Sequence, residues 1–329
     1  MILVDRANSR LKRFVKRLLF PAMNPPPGNA PKKWEEWSIG IYIGATPFHF
    51  TSPDNVDNPV LTREDVSDVP ASFVADPFMM RVDRTWYMFF EVMNCGNSRG
   101  EIGLATSADG VKWTYQQIVL TEPFHLSYPY VFEWMNDYYM IPETHKAGSI
   151  RLYKARKFPL EWSLAKTLIS GPRFSDSSIV RFAEKWWLFT ETDLTIKFST
   201  LRLYYADDLM GRWYEHPKSP IVDENPRIAR PAGRVLVLDE RVVRYAQDCY
   251  PTYGMQVRAF EVTELTTTKY REREVGRGSI ITGSGVGWNR NGMHHIDPHL
   301  MENGKWIACV DGWGRWISAG AKDHQQLTN

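Results

Sequence analysis

The sequence predicts an all-β chain folded as a five-bladed β-propeller, and three observations lead to that class. A strand–turn–strand pattern recurs five times, one further strand stands ahead of the first copy, and aromatic side chains are abundant, with 13 Trp, 15 Tyr and 16 Phe. The 329 residues are 43% apolar and 24% charged. That composition is typical of a globular chain long enough for one large domain.

The N-terminal segment differs from the rest. Residues 1–20 carry six Lys or Arg against Asp5 alone, and their apolar residues recur at helical spacing, which predicts a short basic amphipathic helix. Five prolines between positions 21 and 31 follow and form a linker that is not helical. We therefore divide the chain into a segment at 1–33 and a propeller at 34–329. Residues 1–20 either contact an anionic membrane surface or dock on the chain's own domain.

Three copies of the repeat align without gaps. Each begins with a residue that is followed 15 positions later by a glutamate, namely Asp76 and Glu91, Tyr128 and Glu143, and Asp176 and Glu191. Two looser copies contain Arg230 with Gln247 and Asp297 with Asp311. The copies start at 76, 128, 176, 230 and 297. Repetition at a period of about 50 residues is typical of propeller blades.

Each copy predicts a four-stranded blade. Two strands flank a polar turn, a third strand follows, and Trp113, Trp162 and Trp213 introduce an outer strand. The fifth copy ends before its third strand, and residues 37–43 match the missing one. Pairing of that N-terminal strand with the last copy closes the ring and removes free sheet edges. A β-sandwich, the alternative all-β fold, does not explain the 15-residue recurrence.

The 15-residue spacing places the paired residues at one end of each blade. The residue that opens strand one and the residue that ends strand two meet there, because the two strands are antiparallel. Carboxylates thus gather at one mouth of the central channel, where burial and mutual repulsion raise pKa values. Glycosidic cleavage needs one carboxyl group to donate a proton and another to activate water or attack. The candidate catalytic residues are Asp76, Asp176, Glu191 and Glu143.

The same mouth supplies candidate substrate ligands, which are Glu91, His125, Tyr128, Arg230, Gln247, His295 and Asp297. Arg230 and Arg234 either hold a carboxylate or phosphate of the substrate or pair with the surrounding acids. The repeated glutamates have an alternative role as caps of backbone N–H groups. No cofactor is required, and the alternative is a divalent metal near His294, His295 and Asp297.

Several classes of protein are excluded. The 40 Lys and Arg balance 38 Asp and Glu, without the basic excess of a nucleic-acid binder. No apolar run reaches the ~20 residues of a membrane span, and no signal peptide is recognised. Cys95, Cys249 and Cys309 are widely spaced, so a disulfide scaffold is not expected. These features predict a cytoplasmic chain.

The residues that open the copies resemble those of sugar-active five-bladed propellers, the superfamily of glycoside hydrolase families 43, 32, 68 and 130. A closer similarity is to the N-terminal propeller of plant glucosamine inositolphosphorylceramide transferases and their bacterial relatives, and it is carried by residues 75–78, 125–132, 230–234 and 257–262. In that family the propeller accompanies a separate transferase domain, which is not expected in this sequence.

The resemblance to the hydrolases implies roles for three positions. It implies a base or nucleophile at Asp76 and a general acid in blade three, where the nearest residue is Asp176. It also implies a pKa-modulating aspartate in blade two, where this chain has Tyr128. Either Glu143 or Glu191 then takes over as the acid, or the site binds sugar without hydrolysing it.

Two functions follow from these residues. The first is a carbohydrate-active enzyme, a glycosidase-like hydrolase or a glycosyl-transferring enzyme, with Asp76 as base or nucleophile and Asp176 or Glu191 as acid. The second is a non-catalytic glycan-binding propeller, or an accessory to glycan or glycolipid biosynthesis, whose aromatic residues stack on sugars. A protein-interaction propeller would use its outer surface instead. The acids directed at the channel favour the enzyme over that third option, whereas Tyr128 favours the glycan-binding module.

Overall fold

The structure, a computed structural model, describes residues 33–317 apart from 172, 196 and 277. Within that range, Glu35–Arg315 form one compact unit. The basic helix predicted over 1–20 and most of the proline-rich linker lie outside the described residues. In the described part of the chain, no helix is long and apolar enough to cross a membrane.

The described strands form five sheets. The chain begins with β1 (Lys33–Thr46) and β2 (His49–Thr51). Blade one contains β3 (Ala71–Val82), β4 (Thr85–Asn94), β5 (Arg99–Ser107) and β6 (Thr114–Leu120). Blade two contains β7 (Ser127–Trp134), β8 (Asp137–Glu143), β9 (Ser149–Lys157) and β10 (Glu161–Ser170). Blade three contains β11 (Ser175–Phe182), β12 (Lys185–Glu191), β13 (Leu201–Ala206) and β14 (Tyr214–Glu215).

The last two blades depart from this simple pattern. Blade four contains β15 (Arg230–Pro231), β16 (Leu236–Leu238), β17 (Arg241–Asp248), β18 (Gln256–Leu265), β19 (Tyr270–Glu274) and β20 (Ile281–Thr282). Blade five adds β21 (Ile296–Leu300) and β22 (Trp306–Ile317) to the two N-terminal strands. Three single turns of 3-10 helix lie at Arg63–Asp65, His145–Ala147 and Gly287–Asn289. The predicted five-bladed all-β fold is confirmed.

Blade five is built from both ends of the described chain. Its strand order is β2-β1-β22-β21, so β1 occupies the place of the missing third strand. The prediction that residues 37–43 complete the last repeat is therefore confirmed. This pairing covers the edge that β22 would otherwise leave open.

In blades one to four, two-residue turns join strands one and two at the end away from the acids. In blade two, Trp134 pairs with Asp137, so Met135 and Asn136 alone form the loop, with φ of 50° and 62°. In blade three, Ala183 and Glu184 form the equivalent loop, with φ of 48° and 62°. Two successive residues with positive φ are typical of the type I′ turn, whose twist matches that of a hairpin.

A bulge recurs at the opposite end of the first strands. Asp76, Tyr128 and Asp176 occupy equivalent positions in blades one to three, and each lies within an irregularity of the strand register. Their φ angles are 52°, 46° and 49°, a left-handed conformation that costs about 1–3 kcal/mol for a residue other than glycine. Strain repeated at one position of three blades marks that position as a candidate for function.

Aromatic residues fill the interfaces between blades. The Phe89 ring in blade one packs edge-on against Trp162 in blade two, with centroids 5.4 Å apart. Phe132 and Trp134 in blade two contact Trp186 in blade three at 5.7 and 5.1 Å. Much of the aromatic content of the sequence therefore serves the core, where such edge-on pairs add to the effect of burial.

Candidate active site at the channel mouth

The strand register brings the repeat residues together at one end of the blades, which we call the channel mouth. Ser127 pairs with Glu143 and Ser175 pairs with Glu191, so the residue that follows each serine lies beside the glutamate. Arg230 pairs with Gln247 in the same way. Asp76 is 4% exposed, Asp176 1% and Glu191 0%. These carboxyl groups are therefore almost completely buried.

The side chains of Asp76, His294 and Asp311 form a carboxylate–imidazole–carboxylate arrangement, with the imidazole in the middle. The backbone N–H of Asp76 donates to Asp311 Oδ2 over 2.9 Å, and His294 Nδ1 lies 2.7 Å from Asp311 Oδ1. His294 Nε2 then lies 3.4 Å from Asp76 Oδ1, which accepts no hydrogen bond within the described residues. Burial, followed by the charges of Asp176 and Asp311, raises the pKa of Asp76 well above its usual range.

Asp176 has a different environment. Its Oδ2 accepts hydrogen bonds from Arg230 Nε at 2.5 Å and from Gln247 Nε2 at 2.7 Å. Burial raises the pKa of Asp176 to about 6, and the charge of Arg230 opposes that rise. Its Oδ1 accepts no hydrogen bond from a described residue. Asp176 is therefore ionised near neutral pH, and its Oδ1 is available to accept a hydrogen bond from a ligand.

The three repeated glutamates, Glu91, Glu143 and Glu191, each make a different type of contact. Glu143 accepts the backbone N–H of Asp176 over 3.2 Å and lies 2.5 Å from His145 Nδ1. Burial would raise the pKa of Glu143, but His145 and Arg230 hold it below its usual range. Glu191 accepts the N–H of Asp193, and burial raises the pKa of Glu191 to about 7. Glu143 thus has the capping role that repetition suggested, as has Asp311 for the N–H of Asp76.

Glu91 pairs with His125 rather than with a backbone group. His125 Nε2 lies 3.2 Å from Glu91 Oε1, and the N–H of Gly100 donates to His125 Nδ1 over 2.8 Å. Because Nδ1 is an acceptor, Nε2 carries the proton and donates a hydrogen bond to Glu91. The His125 side chain keeps 27% of its surface exposed, which leaves part of the ring open at the mouth.

Below the mouth the channel is filled. The Tyr128 hydroxyl reaches blade four, where it accepts the N–H of Gly233 and lies 2.8 Å from Ser178 Oγ in blade three. Phe78 and His295 pack edge-on against the Tyr128 ring, and burial lowers the pKa of His295 to about 4. The predicted ligands Tyr128 and His295 are thus a structural crosslink and a neutral, buried ring.

Replacing Tyr128 with phenylalanine should lower the free energy of unfolding by about 1–3 kcal/mol, because the N–H of Gly233 would lose its buried acceptor. Urea unfolding of the variant and the parent measures this difference. Tyr115→Phe is the matched control, since Tyr115 lies on the outer strand β6 and its hydroxyl makes an exposed hydrogen bond to Asp68. Equal, small losses in both variants would contradict the crosslink.

Asp297 makes contacts other than those expected from its repeat position, whereas Asp311 is the acid that the fifth copy adds beside Asp76. The Asp297 carboxylate accepts the N–H of Met79, three positions into the strand from Asp76, and pairs with Arg234 at 2.5 Å and His299 at 2.9 Å. Asp297 is 0% exposed, and burial is outweighed by Arg234 and His299, which hold its pKa well below the usual range. Asp297 and Arg234 therefore stabilise the channel floor.

Of the predicted metal ligands, Asp297 pairs with Arg234 and His299, and a metal near His294, His295 and Asp297 stays a prediction. Within the part of the chain that the structure describes, the group of side chains that could hold a cation is Asp76, His294 and Asp311, whose ligand atoms lie within 4.8 Å of one another. The same three side chains form the carboxylate–imidazole–carboxylate arrangement described above.

Sequence reasoning missed the aromatic residues of the mouth. Arg230, which was expected either to bind substrate or to pair with acids, bonds to Asp176 and lies over the rings of Phe198 and Tyr253, 4.8 and 5.1 Å from their centroids. Trp37 packs against His294 with ring centroids 4.0 Å apart and an angle of 39° between the ring planes. Phe198 and Tyr253 lie in connections between strands two and three, which the alignment of repeat strands did not cover.

The fold defines the class of protein first. A GH62 α-L-arabinofuranosidase catalytic domain from Coprinopsis cinerea matches 86% of this chain and 98% of its own, with a TM-score of 0.55 and 12% identity. A family 117 glycoside hydrolase from Zobellia galactanivorans matches 87% of this chain and 93% of its own, with a TM-score of 0.51 and 12% identity. The chain is thus a propeller of the kind found in glycoside hydrolases.

The sequence defines the family more narrowly. Residues 31–313 match the family described as glucosamine inositolphosphorylceramide transferase 1, N-terminal, and the chain belongs to that family. It is 38% identical over 297 residues to glucosamine inositolphosphorylceramide transferase 1 of Oryza sativa subsp. japonica, which covers 84% of this chain. The chain spans 40% of the length of that relative.

Proposed function

We propose that this chain acts on a glycosidic bond of a saccharide or glycoconjugate, with Asp76 and Asp176 as the reacting pair. Membership of a family named for a glycosyl-transferring protein and the glycoside hydrolase fold support a carbohydrate ligand. The observation that carries the proposal is the contrast between two buried carboxyl groups at one mouth. Two carboxyl groups whose environments separate their pKa values are the requirement of acid–base catalysis at this bond.

The environments assign the two roles. No described residue donates a hydrogen bond to Asp76 Oδ1, and the charges of Asp176 and Asp311 disfavour its ionised form. Asp76 therefore carries the proton and is the general acid. Asp176, held by Arg230 and Gln247, is the carboxylate. This assignment exchanges the roles that the resemblance to the hydrolases implies for blades one and three.

The proton balance of the proposed reaction is simple. Asp76 gives its proton to the glycosidic oxygen as the bond between that oxygen and the anomeric carbon breaks. Asp176 Oδ1 accepts a proton from the water or acceptor hydroxyl whose oxygen attacks the anomeric carbon. Asp176 then releases its proton to solvent, and Asp76 takes one up from solvent, which restores the starting state. Arg230 and Gln247 are positioning residues, since they hold Asp176 ionised through its other oxygen.

Turnover of a panel of aryl glycosides and oligosaccharides tests the proposal. Asp76→Asn and Asp176→Asn should each lower kcat/KM by about 10²–10⁴-fold, the contribution of a positioned acid or base. Asp137→Asn is the matched control, because Asp137 is the first residue of β8, next to the hairpin turn of blade two, and pairs with Lys154 on the surface. Turnover that persists in both site variants would refute the assignment.

A non-catalytic glycan-binding propeller is the second candidate, and Tyr128 favours it. The residue in the modulator position carries no acid, and its hydroxyl is occupied by Ser178 and Gly233. Binding of an oligosaccharide by the parent chain without turnover of any substrate would select this candidate. Asp176→Asn should then weaken binding, because sugar hydroxyl groups donate more strongly to a charged acceptor.

A further inference from the structure

Four aromatic side chains form a row along one side of the channel mouth. The row, here called the aromatic row, consists of Trp313 in β22, Trp37 in β1, Tyr253 between β17 and β18, and Phe198 between β12 and β13. Successive ring centroids lie 6.1, 6.2 and 5.3 Å apart. All four side chains are partly exposed, so the row presents ring surface from blade five to blade three.

The backbone is shaped to hold the row. A Cβ on Gly254 would lie 2.6 Å from the Trp37 ring, and a Cβ on Gly292 would lie 2.9 Å from Trp313 Nε1. Gly254 also has a φ of 75°, which disfavours other residues. The two tryptophans therefore lie directly against backbone that only glycine can supply.

Polar groups lie beside the row without partners. Trp313 Nε1 is a buried donor that has no acceptor among the described residues. Asp176 Oδ1 and Glu191 Oε2 are buried acceptors that receive no hydrogen bond from a described residue. Arg230 connects the row to the reacting pair, because its guanidinium lies against Tyr253 and Phe198 while Nε bonds to Asp176. A ligand that fits must offer flat apolar faces together with both donors and acceptors.

We propose that the aromatic row binds successive rings of an extended glycan, so that the site takes an oligosaccharide rather than a single sugar. The inference rests on the proposed function, in which the reacting end of the glycan lies at Asp76 and Asp176. Sugar rings offer C–H faces that stack on aromatic rings and hydroxyl groups that donate and accept. An acyl chain would cover the rings but leave Trp313 Nε1 and the carboxylate oxygens unpaired, which is costly in a buried setting.

Binding of oligosaccharides of increasing length tests the row. Cello-, xylo-, manno- and arabino-oligosaccharides, each from monosaccharide to hexasaccharide, are titrated by calorimetry and tryptophan fluorescence against the full chain. Affinity for one series should rise with length. Trp37→Ala and Tyr253→Ala should each weaken binding of the longer members roughly 3- to 10-fold and leave the monosaccharide unchanged. Thermal unfolding confirms that each variant is folded.

Tyr214→Ala is the matched control, since Tyr214 is an exposed aromatic residue on the outer strand of blade three and should not alter any titration. Affinity without length dependence, equal losses for short and long sugars, or binding of detergent-dispersed ceramide but of no sugar would each overturn the inference. Length-dependent binding without turnover would instead refute the proposed chemistry and leave the row intact, so the two failures are distinguishable.

Discussion

Replacing Arg234 with methionine should lower the free energy of unfolding at neutral pH by about 3–5 kcal/mol, the cost of leaving a buried charge without its partner. The partner is Asp297, which is 0% exposed and lies 2.5 Å from Arg234 Nε. Arg234 also donates to the carbonyl oxygens of Val131 and Met79. One side chain therefore ties blade four to blades one, two and five, and its loss affects all of them.

The pH dependence of the Arg234→Met effect has a definite sign. In the parent chain the folded-state pKa of Asp297 is below its unfolded value of ~3.9, so its stabilising effect is present above that pH and is lost as the pH falls further. In the variant, burial without Arg234 should raise the folded-state pKa. The stability deficit should then grow as the pH rises from 4 to 7 and shrink as the pH falls below 4.

Urea unfolding at a series of pH values measures both effects. Arg81→Met is the matched control, because Arg81 pairs with Glu302 at side-chain exposures of 43% and 86%, and such surface pairs contribute ~0–1 kcal/mol. The double variant Arg234→Met with Asp297→Asn should recover part of the loss, since it removes the unpaired charge. A deficit that does not change with pH would show that the charge of Asp297 is not its cause.

The fold was open to prediction because blade structure is local. The interval of 15 residues fixes the pairing of Ser127 with Glu143 and of Ser175 with Glu191, and a hairpin contains all the information that sets its register. Closure by residues 37–43 followed from counting strands, because a ring with four complete blades and an incomplete fifth leaves an open edge. Turn positions followed from polar residues between apolar runs.

The site was only partly open to prediction, since its decisive contacts join different blades. Arg230 reaches Asp176 across 54 positions of sequence, and Gly233 reaches the Tyr128 hydroxyl across 105. A repeat indicates which residues face the channel but gives neither their depth nor their partner in another blade. Asp297 shows the consequence, since its repeat position matched Asp76 while its carboxylate bonds to Met79, three positions further along blade one.

Replacing Gln247 with methionine should shift the acidic limb of the pH–rate profile upward by about one to two pH units. Gln247 Nε2 donates to Asp176 Oδ2 over 2.7 Å, and a hydrogen bond to a charged group contributes about 1.5–3 kcal/mol, which corresponds to that shift. Asp176, whose pKa is raised by burial to about 6, must be ionised to accept a proton. Loss of its donor raises the pKa further, so activity appears only at higher pH.

The alkaline limb should stay in place, because it reports loss of the proton from Asp76 at a pH where Asp176 is ionised in parent and variant alike. Profiles of kcat/KM on the best aryl glycoside, measured for parent and variant, separate the two limbs. Gln116→Met is the matched control, since Gln116 lies on the outer strand of blade one and makes an exposed hydrogen bond to Thr106. If Asp76 were the base and Asp176 the acid, the variant would instead extend activity at alkaline pH and leave the acidic limb unmoved.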